Sequence, residues 1–443
     1  MNNRKLGNIE QAMEKLNSHA KTWNIVTISR IKGNLSADII RQSLDIIQHH
    51  HPRLNARIIS VNNSLRFQTT DTTKIPLRVV KKADPQQWQQ VVDEEMNQAI
   101  DSSQYLMRAV LVHIPSDNSI NYLITTLHHA IADGLSSMHL HSEILTYCQQ
   151  IISGNTIHPV TSLSPLPPVE ELLPRWTKKF TGKLSSTLLL LKLGLQKIWY
   201  RPQTLGFEKY VPIAQRHCYI IHRQLDQQFT QKLINSCREG NITVNSAVCA
   251  AMMLIIAKKI KKNHSANINV NCLTYHDLRR HLQPKISHEH LAVLASSLLK
   301  FYPINKNTSF WELGQKVKQN LATSAKHNDI FKTILIAKHL INFTFTYPQQ
   351  VAATVSVSNA GVVNVTQHYG ELELEEISFV GSHALYAGMF ITHVLTFQGK
   401  MLFNFVFSEP AISRPTMENL VNQFMSYIFH VSNINLAPSL TKV

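Results

Sequence analysis

The sequence predicts an α/β fold built as two fused halves, and three observations carry that prediction. The chain has 443 residues, and single hydrophobic cores stop growing at about 250–300 residues. Hydrophobic residues make up 44% and charged residues 16%, a balance suited to a packed chain and poor for a disordered one. Segments with strand alternation and segments with helical periodicity are interspersed from end to end. The stretch from Pro159 to Pro174, with Pro165, Pro167 and Pro168 among serines and leucines, is the natural division. A first half over 1–158, a linker over 159–210 and a second half over 211–443 are therefore expected.

In order along the chain, Leu35 to Gln48 reads as a helix, with Ser36 as its N-cap and Ile39, Ile40, Leu44 and Ile47 on one face. His49-His50-His51-Pro52 ends it. Leu106 to His113 and Asn121 to Leu127 read as strands joined through Pro115-Ser116-Asp117-Asn118, a turn-rich tetrad. Ser136 to Ile152 is helical and stops at Gly154.

The run from Leu184 to Trp199 is apolar but interrupted by Lys192 and Lys197, and it falls short of the roughly 20 apolar residues that span a bilayer. A buried linker helix is the expectation. The alternative, suggested by Lys178, Lys179 and Lys183 just before it, is an interfacial helix resting on anionic lipid.

In the second half, Asn245 to Lys259 forms an apolar helix, and Ile268, Val270 and Cys272 alternate as a strand running into Tyr275-His276-Asp277-Leu278-Arg279. Val351 to Val357 and Met401 to Phe407 are further strands. The last helix is capped by Ser413, carries Pro415 in its first turn, and aligns Met417, Leu420, Val421, Phe424 and Ile428 in one stripe.

Lysine and arginine total 44 against 28 acidic residues, a net charge of +16, which favours anionic partners. The basic residues are scattered, with doublets such as Lys258-Lys259 and Lys261-Lys262. Zinc-finger spacing and an RNA-recognition aromatic signature are missing, so nucleic acid is not the expected partner. Cys148, Cys218, Cys237, Cys249 and Cys272 are odd in number and never form a CxxC pair, which reads as reduced thiols in a cytoplasm. Cys249 belongs to an apolar helix and is expected in the core. Met1-Asn2-Asn3-Arg4-Lys5-Leu6 is not followed by the apolar core of a secretory signal.

The segment that carries chemistry is His128-His129-Ala130-Ile131-Ala132-Asp133-Gly134, at a strand-to-helix junction. Such a junction projects side chains into a cleft from a rigid base. A neutral imidazole takes a proton from an alcohol, amine or thiol near neutral pH. Asp133, four residues after His129, suits either an orienting hydrogen bond to the imidazole or an anchor to a distant arginine, and spacing leaves both open. Gly134 lets the backbone pass where a side chain would clash.

This HHAIADG segment resembles the HHxxxDG motif of the chloramphenicol-acetyltransferase-like superfamily, which includes nonribosomal peptide condensation domains, plant BAHD acyltransferases, wax-ester synthases and mycobacterial polyketide-associated acyltransferases. Arg4-Lys5-Leu6, Glu10, Gly33-Asn34-Leu35 and His51-Pro52-Arg53-Leu54 resemble the opening of these enzymes. Asp277-Leu278-Arg279 resembles their "DLR", and Ser358-Asn359-Ala360-Gly361 the "SNxG" of the polyketide-associated and alcohol-acyltransferase branch. The plant DFGWG motif is absent, and Phe379-Val380-Gly381-Ser382 stands near its place.

The resemblance implies two similar subdomains forming a pseudo-dimer with a central tunnel, entered by acyl thioester and acceptor from opposite faces. It implies His129 as the general base for direct attack on the thioester, without an acyl-enzyme. Asp133 becomes a loop anchor paired with Arg279, or alternatively with Arg280. His128 supports the loop, Gly134 gives space, and Ser358 and Asn359 line the tunnel or donate to the oxyanion. No cofactor is bound permanently, and the donor is acyl-CoA or a phosphopantetheinyl acyl carrier protein, both suited to the basic charge.

A hydroxyl of a lipid, polyketide or other natural product is the expected acceptor. An amine acceptor, a wax-ester or diacylglycerol synthase, and a non-catalytic scaffold that binds a carrier protein are the competing readings. A monomer with possible peripheral membrane contact is expected. No metal is expected: His49, His50 and His51 point in different directions on a helix, and no cysteine or carboxylate set completes a site with them. His276, His281, His288 and His290 read as a mobile polar loop.

Overall fold

The computed structural model describes residues 3–81, 87–113, 120–155, 160–260 and 267–433. In chain order the first half comprises α1 (Asn8–Ala20), β1 (Ile25–Lys32), α2 (Ala37–His50), β2 (Arg57–Val61), β3 (Ser64–Gln68), β4 (Leu77–Lys81), α3 (Trp88–Met96), β5 (Met107–His113), β6 (Ile120–Leu127) and α4 (Gly134–Ile152). Next come the one-turn α5 (Val169–Leu172) and the long α6 (Phe180–Tyr200). The rest comprises β7 (His217–Leu225), α7 (Gln227–Glu239), α8 (Val244–Ile260), β8 (Ile268–Asp277), β9 (Ala295–Ile304), α9 (Phe310–Lys326), α10 (Asp329–Thr346), β10 (Val355–Val362), β11 (His368–Tyr369), β12 (Leu372–Gly381), β13 (Phe390–Phe397), β14 (Lys400–Glu409) and α11 (Arg414–Ser432).

Two six-stranded sheets organise the α/β chain. The first has the order β11-β12-β1-β6-β5-β4 and the second β7-β14-β13-β10-β8-β9. The first sheet is not closed by the first half of the sequence alone. β12 comes from the second half and pairs antiparallel with β1, from Ile25 opposite Gly381 to Lys32 opposite Glu373. It covers what would otherwise be an open edge of backbone N–H and C=O groups, and it locks the two halves together.

The faces of the first sheet follow strand alternation. On one face Thr27, Ser29 and Thr125 meet α4, where Thr27 donates to Ser137 Oγ at 2.7 Å and His141 sits 2.7 Å from both Ser29 Oγ and Thr125 Oγ1. On the other face Val26, Ile28, Tyr122 and Ile124 pack with α3 and with Cys218, Ile220 and Val406 of the second sheet. The second sheet carries α8, an apolar helix buried over most of its length against β8 and β10, as its uniform hydrophobicity requires.

Several elements match their sequence patterns and others correct them. Ser36 caps α2, accepting from Ile39 N at 3.3 Å, and Gly154 takes the left-handed conformation at φ 66° after α4. Ser413 precedes α11, but its hydroxyl contacts Thr416 Oγ1 at 3.2 Å and caps no backbone N–H. The strand expected from Val351 starts only at Val355.

The larger correction concerns α6. A buried linker helix was expected, yet within it only Gly182 and Ser186 are buried, and Leu184, Leu188, Leu191 and Leu195 face outward. The turn over Pro115–Asn118 and the doublet Lys261-Lys262 lie outside the described residues.

Candidate active site

The HHAIADG loop leaves β6 and enters α4, and each of its polar side chains is held differently. Asp133 is the N-cap of α4. Its Oδ1 accepts from Ser136 N at 3.0 Å and Ser136 Oγ at 3.1 Å. Arg279, in the turn just after β8 in the other half, grips both carboxylate oxygens, Nη1 to Oδ2 at 2.9 Å and Nη2 to Oδ1 at 3.0 Å. Leu294 N donates to Oδ2 at 3.0 Å.

Burial by itself would raise the Asp133 pKa, but the Arg279 guanidinium and these donors outweigh it and hold the carboxyl below its ordinary range. Arg279 is only 1% exposed and also donates to Asp277 Oδ1 at 2.9 Å. Arg280, the alternative partner, is exposed. The helix cap fixes the near side of the carboxylate and the second half of the chain fixes the far side. No oxygen of Asp133 is directed at the His129 imidazole in this network, so the orienting hydrogen bond that spacing left open is not formed.

His129 takes its orientation from the backbone instead. Its Nδ1 lies 2.6 Å from the carbonyl oxygen of Ala132. A carbonyl only accepts, so Nδ1 carries the proton and Nε2 keeps its lone pair. Burial pushes the His129 pKa below its ordinary value, against the opposing pull of the Ala132 carbonyl and the Asp133 charge. The ring is thus neutral, of fixed tautomer, and basic at Nε2.

Its surroundings come from distant segments. The Trp23 ring meets it edge-on with centroids 6.2 Å apart and stacks at 4.8 Å on Tyr386 from the second half. His128 is fully buried. Its Nδ1 accepts from Ala130 N at 3.0 Å, and its Nε2 lies 2.9 Å from Glu14 Oε2 of α1. It shapes the loop from behind.

Gly134 has a steric reason to be glycine. A Cβ placed there would lie 2.6 Å from the Phe379 ring of β12, closer than packed atoms tolerate. Phe379 also meets His393 of β13 at 5.2 Å in a T-shaped contact. His393 is buried, and its pKa is pushed down to about 4 by burial. Its Nε2 accepts from Gly381 N at 3.3 Å. Ser358 pairs in register with His393 across β10 and β13, one residue before Asn359. Asn359 Oδ1 accepts from Gly361 N at 2.8 Å, closing a local turn.

The N-terminal motif residues assemble behind the loop. Arg4 donates to both carboxylate oxygens of Glu10, at 2.7 and 2.6 Å, and Glu10 caps α1 through Gly7 N at 2.7 Å. Arg53 lies over the Phe67 ring at 4.3 Å, and burial lowers its pKa to about 10. Arg4 and Arg53 both donate to the Leu166 carbonyl, at 3.2 and 3.1 Å, tying the proline-rich stretch to the first half.

The histidine triplet differs from its sequence reading in one respect. Glu143 of α4 brings a carboxylate to His50 and His51, and the ligand-capable atoms of the three lie within 4.8 Å of one another. The short contact, His51 Nε2 to Glu143 Oε2 at 2.8 Å, has the length of an ordinary imidazole–carboxylate hydrogen bond. Farther along, His288 stacks on His139 with centroids 4.9 Å apart, and His290 Nδ1 lies 3.1 Å from Ser287 Oγ. All five cysteines, Cys249 included, are buried and free of disulfides.

Trp23, Phe379, Tyr386 and His393 around the motif had no signal in the sequence beyond the FVGS segment that contains Phe379. They come from strands and turns whose pairing the sequence does not display.

The condensation-domain family matches residues 11–163. The family described as phthiocerol/phthiodiolone dimycocerosyl transferase C-terminus matches residues 218–402. No curated protein sequence matches the chain.

Among solved structures, polyketide synthase associated protein 5 from Mycobacterium tuberculosis aligns over 97% of this chain and 98% of its own, with TM-score 0.72 and 16% identity. Trichothecene 15-O-acetyltransferase from Fusarium sporotrichioides aligns over 97% and 95%, with TM-score 0.75 and 10% identity. The first condensation domain of the calcium-dependent antibiotic synthetase aligns over 97% and 95%, with TM-score 0.71 and 11% identity. At such identities the structures attest the shared fold, while the two family matches flank the linker and cover the HH loop and Arg279. The chain therefore belongs to the chloramphenicol-acetyltransferase-like acyltransferase superfamily, in its condensation-domain and polyketide-associated branch.

Proposed function

We propose that the chain transfers an acyl group from a thioester, carried by coenzyme A or an acyl carrier protein, to a hydroxyl of a lipid, polyketide or other natural product. The observation that carries this reading is the state of His129, whose Nδ1 is committed to the Ala132 carbonyl while Nε2 retains a lone pair. Nε2 accepts the hydroxyl proton as the alkoxide oxygen attacks the thioester carbonyl. The tetrahedral oxyanion then collapses, the C–S bond breaks, and the imidazolium returns its proton to the departing thiolate.

Asp133 and Arg279 do not touch the reacting atoms in this scheme and act by fixing the loop. Ser358 is the proposed hydroxyl donor to the oxyanion, a role worth a few kcal/mol in other enzymes. Hydroxyl is preferred over amine because the SNxG-like Ser358 to Gly361 segment and the dimycocerosyl transferase match fall in the same half. The basic surface suits both donors, since carrier proteins are acidic and coenzyme A is phosphorylated.

The test incubates the purified protein with acyl-CoA and acyl-carrier-protein donors and with matched alcohol and amine acceptors, following loss of the acyl group by intact mass. Ester formation is expected, falling by about 10²–10⁴-fold in His129→Ala. Unchanged turnover in that variant would sink the general-base role, and amide products alone would transfer the reading to an amine acceptor. Absence of turnover with every donor would favour the carrier-binding scaffold.

A further inference from the structure

The α6 helix presents a surface that the acyl-transfer reading leaves unused. Phe180, Leu184, Leu188, Leu191, Leu195, Ile198 and Trp199 are all exposed, from 48% at Leu184 to 85% at Trp199. At 100° per residue these seven fall within an arc of roughly 100°, so they form one continuous stripe about 28 Å long on one side of the helix. The opposite side is the one that packs, with Gly182 and Ser186 buried. Leu189, Leu190 and Leu193 are half-buried around that packed side, so the helix is apolar toward the protein and toward solvent alike. On that packed side α10 adjoins the helix, with Lys197 Nζ over the Phe343 ring at 5.1 Å.

The charges around the stripe decide what covers it. From Leu172 to Phe207 the chain holds seven basic residues, Arg175, Lys178, Lys179, Lys183, Lys192, Lys197 and Arg201, and no acidic one. On the helical wheel Lys183 borders one side of the stripe and Lys192 the other. A second copy meeting this face through a two-fold axis would set these cations against their own images with no carboxylate between them. An anionic bilayer offers both parts of the complement: acyl chains for the stripe and headgroup charge for the rims. No single described helix is long and apolar enough to cross a bilayer, so the geometry is that of a helix lying in the interface plane.

We infer that α6 docks this protein onto an anionic phospholipid surface through its exposed stripe. The inference rests on α6 and its charges alone and does not depend on the identity of the acyl acceptor. Burying Phe180 and Trp199 at the two ends anchors the helix parallel to the membrane.

The full chain is sedimented with phosphatidylcholine vesicles and with vesicles in which phosphatidylglycerol replaces part of the phosphatidylcholine. Binding to the anionic vesicles is expected, weakening with salt as screening grows. It should fall by about fivefold for each of Lys183→Ala and Lys192→Ala. Leu188→Glu with Leu195→Glu should abolish it while circular dichroism and thermal unfolding stay those of the parent. A blue shift of tryptophan emission on anionic vesicles, lost in Trp199→Phe, reports insertion without relying on the glutamate variant. No binding at low salt, equal binding by the double glutamate variant, or a solution dimer that this variant dissolves would each overturn the inference, the last by assigning the stripe to a second copy.

Discussion

The HHAIADG loop and α6 break the usual segregation of polar and apolar groups in opposite directions. At the loop, Asp133 and Arg279 are charges placed inside, bridging the two halves with every carboxylate oxygen occupied. At α6, leucines, an isoleucine, a phenylalanine and a tryptophan are placed outside with nothing over them. Exposed single hydrophobes are ordinary, whereas a buried charge or a large exposed apolar patch carries information. The difference teaches where each region's free energy is committed. The Asp133 carboxylate is saturated within the chain, so disruption of the loop should be read in folding and turnover. The α6 stripe is unsatisfied, so its disruption should be read in association and hardly in folding.

The sharpest way to break this comparison is Arg279→Ala. It strands the Asp133 carboxylate without its counter-charge and should lower stability by about 3–5 kcal/mol in denaturant unfolding. Adding Asp133→Ala should cost much less than the sum of the two single changes, because the partners act as a unit. Additive losses would mean that the two groups are not coupled.

Gly134→Ala drives a methyl into the Phe379 ring, 2.6 Å from the new Cβ. A loss of about 1–3 kcal/mol is expected, with part of it regained by Phe379→Leu in the same background. Failure of that rescue would remove the steric account of the glycine.

The pH profile probes the buried imidazoles. Burial holds His393 at about 4 and His141 at about 3, and lowers His129 and His383 as well. Each binds its proton less readily in the folded chain than in the unfolded one. Below the ordinary histidine value of about 6.5 the unfolded chain therefore takes up more protons. Stability is full above that pH and is lost as pH falls through the interval down to the folded values. Urea midpoints that stay level from pH 7 to pH 5 would contradict this. For the same reason the acid limb of kcat/KM should lie below about 6.5 if His129 is the base.

The smallest expected change is at α6. Leu188→Ala and Leu195→Ala should each shift stability by less than about 0.5 kcal/mol, because 56% and 67% of these side chains are already in water. A loss comparable to that of a core leucine would show that the stripe is covered within the chain.

Much of this was legible in the sequence where a local pattern has one solution. The stripe of α11, the Ser36 cap of α2 and the strand–loop–helix setting of His129 follow from periodicity and capping chemistry. Arg279 was singled out through the resemblance of Asp277-Leu278-Arg279 to a family segment; spacing alone left Asp133 free to serve either partner. Other features were not legible. Asp133 as the N-cap of α4 was hidden because Ser136, its reciprocal partner, itself reads as a helix start. β12 carries a strand pattern that would suit any sheet, and only its register against β1 reveals that it closes the first sheet. The carboxylate of Glu143 reaches His50 and His51 only because α2 and α4 pack side by side.

By itself the sequence determined the α/β class and the loop that bears His129, because each depends on residues close in the chain. The tertiary structure decided the rest: the Trp23 ring set against His129, the Phe379 ring that excludes a side chain at Gly134, and the outward face of α6. Those depend on which surfaces meet across long separations in sequence. Hydrophobic periodicity reports that a helix has an apolar side, and only packing reports whether the protein or something else covers it.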